Sequence, residues 1–96
     1  MITVYILYPK SGDSTFDMDY YTATHLPMLA RALGEACVQW GATSAHGDDY
    51  HAVGWANVTS AAAFDAAMAE HGAAIMADVA NYTSVEPVLL TGDTVV

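Results

Sequence analysis

The chain has 96 residues, of which 54% are hydrophobic and 14% charged. This is the length of one domain, residues 1–96, and more apolar surface than one small core hides, so a second copy of the chain is expected to cover part of it. Only Lys10 and Arg31 are basic, against 11 acidic residues, for a formal net charge of −9; that excludes the basic patches needed to bind nucleic acid or an anionic membrane surface.

Cys37 is the only cysteine, so no disulfide can form within the chain and a reducing, cytoplasmic setting fits. The opening "MITVYILYPK" runs directly into a strand-like pattern without the basic region of a signal peptide. No apolar run approaches the ~20 residues needed to cross a bilayer, so neither a leader nor a membrane anchor is expected.

Residues 2–9, "ITVYILYP", are rich in β-branched and aromatic types and end in proline, which predicts a first strand. Alternation puts Ile2, Val4, Ile6 and Tyr8 on one side and Thr3, Tyr5 and Leu7 on the other. "KSGDST" is a loop. Asp17 is placed to cap a helix that runs to Leu33 and stops at Gly34. Residues 36–46 and 50–58 predict two strands around the turn "GDD". Ser60 caps a second helix, expected to stop at Gly72, with a short further helix over 73–80. Residues 84–92 complete the pattern as a last strand, in which Pro87 suits an edge or a bulge. The order βαββαβ is that of an α+β, ferredoxin-like unit. With both helices on one face of the sheet, the other face is left apolar and open, and a second copy is its simplest cover.

On a wheel of about 100° per residue, Thr22, Leu26, Leu29 and Leu33 share one side of the first helix, and His25 falls beside Leu29. Tyr21 and Met28 lie further round the same side, and Tyr20 lies on the other flank. His25 is therefore expected to point at the sheet, where a neutral imidazole can act as acid or base. The alternative is a core histidine bonded to a carbonyl or a tyrosine. Pro27 removes a helical hydrogen bond to the carbonyl of Ala23 and frees backbone next to His25. His46 and His51 flank "GDDY", but their spacing matches no metal motif, and the turn reads as solvated with no metal. His71, just before Gly72, reads as a group favouring the negative end of the helix. Trp40, Trp55 and Tyr5 are core, interface or pocket-wall aromatics. Phosphate loops, dinucleotide fingerprints, HExxH and nucleophile elbows are all absent from the sequence.

"LYP" followed by "FDMDYYTATHLPML" resembles the EthD family, through Phe16-Asp17, Tyr20-Tyr21, His25 and Pro27. "MAEHGAAIMADVANYTSVEPV", with Asn81-Tyr82-Thr83, carries the likeness towards residue 90. The resemblance implies a dimeric α/β barrel built from two ferredoxin-like units, with a pocket between sheet and helices in each. Enzymes of this architecture include cofactor-independent monooxygenases, isomerases and cyclases, and haem-binding relatives also exist. The family often has a basic residue just before the histidine; here it is Thr24. The expected site therefore has His25 as general acid/base, Tyr21 or Tyr5 holding a substrate oxygen, and Met28 and Trp55 as apolar walls. The substrate is a small apolar, oxygenated molecule handled without a cofactor by isomerisation, cyclisation or oxygenation. Haem is disfavoured, because two cations leave little to pair with propionates. A non-catalytic dimer that binds an apolar metabolite is the alternative.

Overall fold

The computed structural model describes residues 1–96. Strand β1 spans Ile2–Pro9, β2 Cys37–Ser44, β3 Tyr50–Val58 and β4 Val88–Asp93. They form one sheet in the order β2-β3-β1-β4 with every neighbouring pair antiparallel. Helices α1 (Met18–Tyr20) and α2 (Leu26–Leu33), joined by a π turn over Tyr21–His25, connect β1 to β2. Helix α3 (Ala61–Asp78) and a 3₁₀ turn (Val79–Asn81) connect β3 to β4. The expected ferredoxin-like α+β fold is the fold observed, and no helix is long and apolar enough to cross a membrane.

The alternation expected along β1 holds. Val4, Ile6 and Tyr8 are buried with Ala52, Ala56 and Val58 of β3 beneath Leu26, Leu29 and Leu33 of α2 and Ile75 of α3. On the opposite face Tyr5 pairs across the sheet with Trp55 and Leu90, and Leu7 with Val53 and Val88. Apart from Thr3, buried at one end with its hydroxyl bonded to Asn57 and Thr94, that face is open: Tyr5, Val88 and Leu90 are 40%, 54% and 57% exposed. Trp40 pairs with Ala56 rather than with Trp55, so the two tryptophans lie on opposite faces.

Asp17 and Ser60 are the helix caps, accepting from the backbone N–H of Tyr20 and Ala63. Gly34, with φ +59°, ends α2. Four expectations fail. The helix does not stop at Gly72 but continues to Asp78, because alanine-rich flanks outweigh the cost of about 1 kcal/mol that glycine carries inside a helix. His71 is therefore mid-helix, not at a helix end. The last strand begins only at Val88, after Pro87; residue 83 instead makes an isolated bridge to Phe16. Thr22 is exposed, its hydroxyl bonded back to the carbonyl of Met18. Here the uniform wheel breaks down. Pro27 cannot donate, and its ring would crowd the carbonyl of Ala23, so the ladder widens and Leu26 N–H bonds to Tyr21 O. The extra residue in that turn puts Tyr21, His25, Leu26, Leu29 and Leu33 on the buried side.

Gly54, opposite Ile6 on β3, exists for the sake of one neighbour. A Cβ there would collide with the Tyr21 hydroxyl. Gly54→Ala is therefore expected to destabilise the fold by about 1–3 kcal/mol, read as a lower urea midpoint at unchanged slope. Most of that loss should vanish in a Tyr21→Phe background; an equal loss in both backgrounds would mean that the hydroxyl is not the obstacle.

Candidate functional site

The π turn sets Tyr21 and His25 four residues apart on the buried side, with ring planes 20° apart and centroids at 5.8 Å. His25 is 4% exposed. Its Nδ1 lies 2.9 Å from Oδ2 of Asp78, the last residue of α3. The other carboxylate oxygen accepts from the Tyr20 hydroxyl at 2.7 Å and the Asn81 amide at 2.9 Å. Burial pushes the Asp78 carboxyl up, but hydrogen bonds from Tyr20, His25 and Asn81 outweigh it and hold the group below the ordinary carboxylate range. An ionised carboxylate can only accept, so Nδ1 is the donor of this bond, and in the neutral form of the imidazole it carries the proton. Nε2 makes no hydrogen bond within the protein; the one bond of the ring is through Nδ1.

His25 lines a cavity of about 290 Å³ between the sheet and the helices. Its walls are apolar, from Val4 and Ile6 of β1, Leu29 of α2, and Phe64 and Met68 of α3; its only other polar side chains are Tyr8 and Tyr21. The Tyr8 hydroxyl is bonded to that of Tyr82 at 2.7 Å. The Tyr21 hydroxyl is completely buried and has no partner. Burial pushes all three phenols well up, so they stay protonated, and one O–H of the Tyr8–Tyr82 pair is used in their mutual bond. Rigidity comes from aromatic packing. Tyr8, Phe16, Tyr21 and Tyr82 are in mutual contact, with every pair of centroids 5.0 to 5.8 Å apart.

Of the residues expected at the site, the structure brings His25 and Tyr21 together. Tyr5 and Trp55 lie on the far face of the sheet, set there by strand alternation. Met28 lies in a shallow outer groove between α2 and α3 with Arg31 and His71. His51 is bonded through Nε2 to Ser14 Oγ at 2.9 Å and stacked on Phe16, while His46 is exposed. Tyr20, expected on an outer flank, reaches across to Asp78. Sequence reasoning missed Asp78, which stands 53 residues from its histidine. One signal was present: an acidic residue closing a helix opposes the negative end of the dipole and calls for another reason to be there.

No protein-family profile and no curated protein matches the chain. Among solved structures, an EthD-like protein from Ralstonia eutropha is 38% identical, with a TM-score of 0.87 over 99% of this chain and 92% of its own. An ethyl tert-butyl ether D (EthD) family protein from Bacillus halodurans is 16% identical, with a TM-score of 0.75 over 99% of each chain. SnoaB, a cofactor-independent oxygenase from Streptomyces nogalater, is 17% identical, with a TM-score of 0.53 over 99% of this chain and 94% of its own, a likeness of fold alone. With a 38% identical relative along nearly the whole length, the chain belongs to the EthD family.

Proposed function

We propose that this protein is an enzyme that moves a proton on a small, neutral, oxygenated substrate, with His25 as general base and acid and no bound cofactor. The observation that carries the reading is that His25 lines an apolar cavity while Asp78 holds its Nδ1 and no protein group bonds its Nε2. Nε2 would take a proton from a carbon beside a carbonyl. The Asp78 carboxylate would stabilise the imidazolium formed. Tyr21 stays protonated, and its hydroxyl, now packed against Gly54, would meet the oxygen on which negative charge develops after a shift of the ring towards the cavity. Return of the proton to another atom gives isomerisation, and its delivery to a departing hydroxyl gives dehydration or closes a cyclisation. Oxygenation of the same carbanion is a variant that the likeness of fold to SnoaB supports.

Neutrality of the substrate is argued from where the cations are. Lys10 bonds the carbonyl of Gly47, and Arg31 is exposed on α2, so neither lines the cavity. A volume of about 290 Å³ stands at the small end of ligand pockets, which suits one or two rings. The open apolar face supports a homodimer formed sheet to sheet, and the lone Cys37 supports a reducing, cytoplasmic setting. Tyr5 and Trp55 belong in this proposal to the dimer face, and Met28 to the packing of α2 on α3.

Proton transfer can be tested with a surrogate ketone. In D₂O the wild type should speed exchange of the α-protons of 2-tetralone, and His25→Ala should lower the rate about 100-fold while keeping its fold. Equal rates for the two proteins would sink the reading. Asp78→Asn should slow exchange and also change the response to acid. A carboxyl held below its unfolded value contributes stability at neutral pH that is lost as pH falls through its folded value. Melting temperature should therefore fall less steeply with acid in Asp78→Asn than in the wild type. Tyr21→Phe removes a buried hydroxyl without a partner, so stability should rise by about 1 kcal/mol or more while exchange slows; a loss of stability would show that the hydroxyl is satisfied in solution. Sedimentation should give about twice the 10.1 kDa chain mass, and Leu90→Asp should return it to the monomer.

A further inference from the structure

Gly72 has none of the usual reasons to be glycine. Its φ is not positive, and a Cβ there would meet only the Cβ of Met68, at an ordinary 3.8 Å. It stands inside α3, between His71 and Ala73 in an alanine-rich run, where alanine would serve the helix better. It does line the cavity of His25. Phe64, Met68, Gly72 and Met76 succeed one another four residues apart, a single ridge of the helix on the cavity wall, and Gly72 is the gap in that ridge. Met76 and Leu89 also line the cavity, yet are 52% and 56% exposed, which places its mouth between α3 and the edge strand β4. Gly72 is half-buried, one helical turn from Met76.

We propose that Gly72 is a specificity-determining residue: the notch between Met68 and Met76 admits an apolar arm of a neutral ligand whose oxygen is held at His25. This rests on the cavity being a ligand site, as proposed above. The two flanking methionines are unbranched and adaptable, so they can close around arms of different shape. Any side chain at 72 would project into the arm's path without disturbing the backbone. The absence of a Cβ then serves the ligand, and helix propensity is given up for it.

Fluorescence titration with two neutral probes tests the assignment: 4-phenyl-1-naphthol, which has an arm, and 1-naphthol, which has the same hydroxyl and none. Gly72→Leu should weaken the first by about tenfold or more and leave the second unchanged. Gly72→Ala should lie between wild type and Gly72→Leu for the first probe and melt at a higher temperature than wild type. If Gly72→Leu does not fold, Gly72→Ala carries the test, since the fold has room for its methyl. Wild-type binding of both probes that neither variant alters would overturn the role of Gly72 and leave the cavity standing. Equal weakening of both probes would overturn it too, making position 72 a general filler. Failure of the wild type to bind either probe would remove the cavity reading and this inference with it.

Discussion

The bond from His25 Nδ1 to Asp78 Oδ2 joins the two helical layers at the point where each is irregular. On one side is the π turn, on the other the end of α3 where the chain tightens into a 3₁₀ turn. Neither irregularity is favourable locally: one widens the helical ladder beside a proline, the other places a carboxylate at the negative end of a dipole. Together they hold Nδ1 of the histidine on the carboxylate and leave Nε2 without a protein partner, on a residue that lines the apolar cavity. Tyr20 and Asn81 complete the coordination of the carboxylate, so the network is satisfied on the Asp78 side and unsatisfied only towards the cavity.

The same division appears in the packing. Features that cost stability cluster around the cavity: the unpartnered Tyr21 hydroxyl, Gly54 beneath it, and Gly72 in the helix wall. Immediately alongside, four aromatic rings pack edge to face, and the Tyr8 and Tyr82 hydroxyls satisfy each other. A rigid aromatic wall tolerates a neighbouring void because its own contacts do not depend on filling it. Stability given up at a ligand site and offset nearby is an expected pattern for a functional cavity.

The strands, the caps at Asp17 and Ser60, and the alternation of β1 were legible because each obeys a local rule of period or capping. His25 and Tyr21 were legible because they share one turn. Thr22 was misplaced because the wheel assumes 3.6 residues per turn, and a single π turn rotates the residues on its N-terminal side relative to those on its C-terminal side. Gly72 misled because a glycine after a histidine at the end of an alanine run has the pattern of a stop, and nothing local distinguishes a stop from a notch. Asp78, Asn81 and Tyr82 reach the site only through tertiary packing, which no spacing encodes. The resemblance through Asn81-Tyr82-Thr83 did mark that segment, and its residues now have physical roles: an amide on the carboxylate, a phenol bonded to Tyr8, and a hydroxyl donating to the carbonyl of Thr15.

Strand β4 links the two apolar surfaces of the molecule. It is an edge strand, hydrogen-bonded within the chain on one side only, and all its residues are exposed. Alternation sends Leu89 to the mouth of the cavity and its neighbours Val88 and Leu90 to the open face of the sheet. A partner that buries Leu90 therefore also restrains the strand that carries Leu89. Register gives no freedom to separate the two, since a shift of one residue would exchange the faces. Covering the open face would thus stiffen one wall of the cavity without any partner residue entering it. Any assembly through that face would be coupled to the shape of the cavity through the backbone of a single six-residue strand.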